Sequence, residues 1–157
     1  MLPAPSEIFK AGPTYQFMNT LTLPGRYENL VQIAQFVRQA AESAGFDDFA
    51  LYSIETAVEE ACANIIEHAY GGEDKGDIQV DCQVDENGLT VRLHDHGKPF
   101  KPAAVQTPDV KAPLKKRQAH GLGLYMMRKW MDEVDFQFTP EQGNVLTMLK
   151  RKEIKAG

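Results

Sequence analysis

Residues 51–72, LYSIETAVEEACANIIEHAYGG, and residues 77–95, DIQVDCQVDENGLTVRLHD, carry different hydrophobic periods a few positions apart. In the first, Leu51, Ile54, Val58, Ala61 and Ile65 recur at steps of three and four, which is a helix with one buried stripe, and Gly71-Gly72 closes it. In the second, Ile78, Val80, Cys82 and Val84 alternate with Gln79, Asp81, Gln83 and Asp85, the period of a strand with one wet face. Asn87-Gly88 supplies the positive-φ residues of a tight turn, and Leu89, Val91 and Leu93 resume the alternation, so the stretch reads as a hairpin.

Upstream, Leu30, Ile33, Ala34, Val37, Ala41 and Ala44 define another amphipathic helix from Glu28, with Gly45 as its left-handed cap and Asp47 or Asp48 capping the long helix that follows. A strand over Tyr15 to Leu23 is stopped by Pro24-Gly25. Downstream, Pro99 to Ala119 holds four prolines, five basic residues and no apolar period, which predicts a long functional or mobile loop. Leu122 to Met131 then reads as a short helix, Val134, Phe136 and Phe138 as a strand, and Val145 to Lys150 as a last strand, apolar on both faces. The order predicts an α+β (α/β) two-layer sandwich, with helices on one face of a mixed, mostly antiparallel sheet. We expect 1–14 to be an irregular lead-in, 15–152 one domain and 153–157 a tail.

With 157 residues, 43% hydrophobic and 25% charged, the chain suits one domain and not two. It holds no apolar run of the roughly 18 to 20 residues that a bilayer span requires, and MLPAPSEIFKAGP has neither a basic n-region nor an apolar h-region, so a cytoplasmic protein with no membrane contact is expected. A formal charge of -5 argues against a general nucleic-acid binder. Cys62 and Cys82 fall at core positions without metal-ligand spacing and read as reduced, buried thiols.

Three segments carry chemistry. Glu60, Asn64 and His68 are spaced by four and border the apolar stripe of the long helix, while Glu55 and Glu59 point away and read as solvated charge. Asparagine is a poor helix-interior residue, so Asn64 is either a satisfied boundary amide or an oxygen ligand for a hard cation such as Mg²⁺, with Glu60 one turn earlier able to polarise a hydroxyl. Asp95-His96-Gly97 ends the hairpin: either an Asx-type turn, or a carboxylate presented into a cavity beside a glycine that admits a ligand. Gly121-Leu122-Gly123-Leu124 opens a helix and is a candidate anion site, preceded by Lys111, Lys115, Lys116 and Arg117 as phosphate-facing charges or a solvated loop.

In this order the segments resemble the GHKL ATPase superfamily with its Bergerat ATP-binding fold. Glu60 to Asn64 resembles its N box, Asp95-x-Gly97 its first glycine box and Gly121 to Leu124 its second. Within it, Ala57-Val58-Glu59-Glu60-Ala61, His68-Ala69-Tyr70, Ala112-Pro113-Leu114 and Met131-Asp132-Glu133-Val134 are similar to the bacterial anti-sigma factor serine/threonine kinases. The resemblance implies that ATP and Mg²⁺ are the cofactors, Asn64 the metal ligand, Glu60 the catalytic base and Asp95 the acceptor for the adenine amino group. It also implies that Gly97 lies against the base, that Gly121, Leu122, Gly123 and Leu124 cradle phosphates with His68 nearby, and that Arg117 reaches in from a lid. The implied partners are an anti-sigma-factor antagonist with a substrate serine or threonine and an RNA polymerase sigma factor. Relatives often form homodimers, and the oligomeric state is left open. A partner-sequestering switch that binds nucleotide without catalysis is the other reading. The chain departs from the pattern at His120, where relatives often have glycine. It departs again at Asn144-Val145, where threonines often help hold the adenine and Thr147 is the other candidate.

Overall fold

The computed structural model describes residues 17–101 and 119–153. Strand β1, Phe17–Pro24, leads through a 3₁₀ turn at Tyr27–Asn29 into helix α1, Leu30–Ser43. Gly45 adopts φ +86° after it, as its position predicts, and Asp47 caps helix α2, Asp48–Asn64, by accepting from the Ala50 N–H at 2.8 Å. The helix does not run unbroken to the glycines: Ile65–Ala69 is a π turn, in which the Tyr70 N–H reaches back five residues to the Ile65 carbonyl at 2.9 Å. Strands β2, Asp77–Asp85, and β3, Gly88–Asp95, form the hairpin, followed by helix α3, Ala119–Trp130, and strands β4, Glu133–Thr139, and β5, Gly143–Arg151.

The hairpin turn differs from the expected Asn-Gly form. Only Gly88 has a positive φ (+145°), and the turn is organised by Asp85, whose carboxylate accepts from the Asn87 and Gly88 N–H groups at 2.8 and 3.2 Å. That bond pattern moves the turn's centre to Glu86-Asn87 and places Gly88 in the strand, where an added Cβ would meet the Lys150 carbonyl of β5.

The sheet order is β1-β2-β3-β5-β4, and every described pairing is antiparallel, so the sheet is not mixed. Ile78, Val80, Cys82 and Val84 of β2, Leu89, Val91 and Leu93 of β3, and Leu146 and Met148 of β5 share the inner face. Against them pack Ile33 and Val37 of α1, Ile54 and Val58 of α2, and Leu124 and Met127 of α3. Burying each such branched side chain contributes about 1.5 to 3 kcal/mol, so this face specifies the register. The outer residues of β5, Val145, Thr147 and Leu149, are half-buried, which is why that strand reads as apolar on both sides. Cys62 and Cys82 are free and buried, and burial pushes both thiols up to about 12.

Glu55 is not free surface charge. Its carboxylate receives the Arg38 guanidinium at 2.7 Å and ties α2 to α1, whereas Glu59 is exposed as expected.

Candidate active site

The inner face of β3 reads Leu89, Val91, Leu93, Asp95, so the period that buries three apolar side chains also turns the Asp95 carboxylate under the helices, where it is 3% exposed. Directly across the register, Asn144 is the inner residue of β5 and donates from Nδ2 to Asp95 Oδ1 at 2.8 Å. Burial raises the Asp95 carboxyl above its ordinary value, and the Asn144 amide, the Gly97 N–H, His96 and His94 oppose it in that order.

Asp95 and Asn144 form one end of a cavity of about 240 Å³ that Asn64 and His68 line from the α2 side, Met127 from α3 and Phe136 from β4. Gly97 closes against the π turn: an added Cβ would stand 2.4 Å from the Ala69 carbonyl oxygen, and the Lys98 N–H donates to that same oxygen at 2.8 Å. Only a residue without a side chain fits there. Tyr70 holds this junction by donating to the Asp77 carbonyl at 2.6 Å and accepting from the His96 N–H at 3.0 Å.

The second glycine-rich segment lies on the first. A Cβ at Gly123 would be 2.9 Å from Glu60 Oε2 and 3.5 Å from Asn64 Nδ2, so α3 passes directly over the polar edge of α2. Helix α3 starts at Ala119, two residues before Gly121, so Gly121 and Leu122 sit inside its first turn and do not precede it. Leu124 packs into the core and does not face the cavity. Lys111, Lys115, Lys116, Arg117 and the rest of the expected loop over 102–118 lie outside the described residues.

Neither Glu60 nor Asn64 makes a side-chain hydrogen bond among the described residues; Asn64 presents its amide on the cavity wall, and the Glu60 carboxylate lies one turn earlier, under Gly123. Burial raises the Glu60 carboxyl above its ordinary value and the charge of Glu67 adds to this. His68 is half-exposed, with Nε2 3.7 Å from Glu67 Oε2, and the π turn between it and Asn64 breaks the four-residue phase that grouped it with Glu60. No group of three His, Cys, Asp or Glu side chains converges among the described residues.

Sequence reasoning missed part of the wall. Phe100 and Phe136 face each other with ring centroids 4.6 Å apart, and Lys98 and Lys101 stand beside them. Phe136 was legible only as a strand residue, and its place on the inner face beside Phe100 depends on the β4–β5 register. Thr147 pairs with Arg92 and Asp135 on the outer sheet face, away from the cavity.

Residues 23–150 of the chain match the family model of the histidine kinase-like ATPase domain. The chain belongs to that family. It is 30% identical over 132 residues to the serine-protein kinase RsbW of Listeria monocytogenes, covering 82% of this chain and 84% of the relative. The serine-protein kinase RsbW of Bacillus cereus is likewise 30% identical over 134 residues, with 83% and 82% covered. Among solved structures, the RsbU and RsbW domains of a Mycobacterium tuberculosis protein superpose with a TM-score of 0.58 at 19% identity. That match covers 87% of this chain but 32% of the larger one, and it shows the shared α+β fold. No described helix is long and apolar enough to cross a membrane.

Proposed function

We propose that this chain is an ATP- and Mg²⁺-dependent serine/threonine protein kinase that acts as an anti-sigma regulatory factor and phosphorylates an anti-sigma-factor antagonist. The observation that carries the reading is the seating of Gly123 against Glu60 and Asn64, with Asn64 and Asp95 lining one cavity. The names and 30% identity of the RsbW relatives support the choice of acceptor class.

In this reading Asp95 accepts a hydrogen bond from the adenine 6-amino group, and the Phe100 and Phe136 rings wall the base. Gly97 lets the chain approach the base closely. Asn64 supplies the one protein oxygen to Mg²⁺, which when bound neutralises phosphate charge. Glu60 accepts the proton of the attacking hydroxyl; its raised pKa makes it a better proton acceptor than an ordinary carboxylate. Phosphoryl transfer asks a protein mainly to position groups and stabilise charge, so this division of labour is chemically sufficient. The chain operates in the cytoplasm, where its partners are the antagonist and the sigma factor it sequesters.

The test is phosphate transfer from ATP to the partner captured from its own cells, with the acceptor residue mapped. Glu60→Gln should bind ATP and partner normally and transfer about 10² to 10⁴ times more slowly. Glu59→Gln, on the exposed side of α2, should match wild type. Transfer by Glu60→Gln at the wild-type rate would overturn the base assignment. Wild type that binds ATP and partner yet transfers nothing would leave the sequestering switch as the function.

A further inference from the structure

Asn144 stands where threonines often help hold the adenine in relatives, and its surroundings define a different task. It is 8% exposed on the cavity wall. Its Nδ2 donates to Asp95 Oδ1 at 2.8 Å and to the Lys98 carbonyl at 2.8 Å, while its Oδ1 accepts from the Phe100 N–H at 3.1 Å. These partners fix the amide's orientation. Turned over, its oxygen would face a carboxylate oxygen and a carbonyl, and its NH₂ would face an N–H. Both amide protons are therefore used inside the protein, and none is left for a bound base. Thr147, on the outer face, supplies none either.

We propose that Asn144 is a positioning residue for base recognition: it fixes Asp95 Oδ1 and clasps the Lys98 to Phe100 turn, so that Asp95 Oδ2 alone reads the 6-position of a purine. The inference rests on the nucleotide reading above. Oδ1 is also held by the Gly97 N–H at 2.9 Å, whereas Oδ2 has no hydrogen bond among the described residues. An ionised Oδ2 accepts from a 6-amino group and repels a 6-oxo group. A protonated carboxyl donates to a 6-oxo group and loses its preference for the amine. Preference for adenine over hypoxanthine thus follows the ionisation of Asp95.

Burial pushes that carboxyl up, and the Asn144 amide is the first of the groups holding it down. The other charged or titratable groups around it are His94 and His96 on its own segment, Tyr70 beyond the π turn, and His68, Lys98 and Lys101 on the cavity wall. Without the amide, burial is opposed less and protonation sets in at higher pH.

The test uses the intact chain with ADP and inosine diphosphate as probes, titrated calorimetrically from acid to neutral pH, for wild type, Asn144→Leu and Asn144→Ser. Carbon NMR follows the Asp95 carboxyl in the nucleotide-free proteins. Losing a hydrogen bond to a charged group should cost Asn144→Leu about tenfold in ADP affinity. The ADP preference should fall by a similar factor, and the acid limb of ADP binding and the Asp95 titration should both move to higher pH. Asn144→Ser, which keeps one donor, should recover part of each. Equal loss for both nucleotides with no movement in pH would mean a merely structural role and overturn the proposal, as would an unchanged preference. If Asn144→Leu does not fold, the Asp95 titration in Asn144→Ser decides, and a value equal to wild type overturns it. Wild type that binds neither nucleotide refutes the nucleotide reading and this inference together; wild-type binding with the preference intact in the variants refutes this inference alone.

Discussion

Replacing Gly123 by alanine should separate stability from catalysis, leaving the first nearly unchanged and lowering the second. Gly123 lies in the second turn of a regular helix, so the substitution gains about 0.8 to 1 kcal/mol of helix propensity. Against this, the new Cβ would stand 2.9 Å from Glu60 Oε2, so that oxygen must give by roughly 0.5 Å, and 3.5 Å from Asn64 Nδ2, an ordinary contact. The atom that must move is the far end of a flexible side chain, and an off-rotamer χ costs about 0.5 to 1.5 kcal/mol. The two effects nearly cancel, so Tm should change by no more than about 3 °C in either direction. Catalysis has no such compensation. A carboxylate displaced by a good fraction of an ångström from the hydroxyl it must deprotonate should slow transfer about 10- to 100-fold. Thermal melting and single-turnover transfer to the captured partner measure the two. In a Glu60→Gln background Gly123→Ala should add little further loss, because both changes act through one carboxylate. A large fall in Tm would show that something stiffer than Glu60 meets the new methyl. An unchanged rate would refute the placement of Glu60 at the reacting hydroxyl.

Gly97→Ala should behave in the opposite way, because the atom 2.4 Å from its Cβ is a backbone carbonyl that cannot swing aside. We expect a loss of about 1 to 3 kcal/mol in denaturant unfolding together with weakened ADP binding, and a variant as stable as wild type would contradict the Gly97–Ala69 contact. Glu67→Gln should move the acid limb of the transfer rate to lower pH, since Glu67's charge helps to raise the Glu60 carboxyl. The rate depends on ionised Glu60 and falls as pH drops through its raised pKa, so the pH profile of the two proteins decides. Coincident limbs would mean that another group titrates.

The elements with strong periods were legible: the stripe of Leu51, Ile54, Val58 and Ala61 and the alternation of Ile78 to Val84 appear as helix and strand because both bury one face on a common core. What was not legible depends on partners distant in sequence. The charge of Glu55 looked solvated because its partner Arg38 lies on another helix. The hairpin turn moved because Asp85 captured two N–H groups that a dipeptide rule does not consider. Within the site, Glu60, Asn64, Asp95 and Gly123 could be named from residue type and local spacing. Asn144 could only be marked as a departure, because its bond to Asp95 requires the β3–β5 register, which joins residues on either side of the whole α3 segment.

The π turn explains how such local signals become one site. A regular helix would carry Asn64 and His68 around with the same phase, but Ile65–Ala69 widens there and the helix ends with the Ala69 carbonyl turned toward the next segment. That carbonyl accepts the Lys98 N–H at 2.8 Å, and the missing side chain of Gly97 allows the approach. The Tyr70 hydroxyl then bridges the Asp77 carbonyl and the His96 N–H, fixing both sides of the junction. The spacing between Asn64 and Asp95 is consequently set by backbone contacts of the Ala69–Lys98 junction rather than by side chains that point into the cavity. Side-chain changes that line the cavity, such as Phe136 or Lys101, should alter affinity while leaving that spacing intact. Changes at Gly97 or Tyr70 alter the spacing itself, and in the proposed kinase they would displace the base relative to the metal ligand even though neither side chain needs to touch the nucleotide.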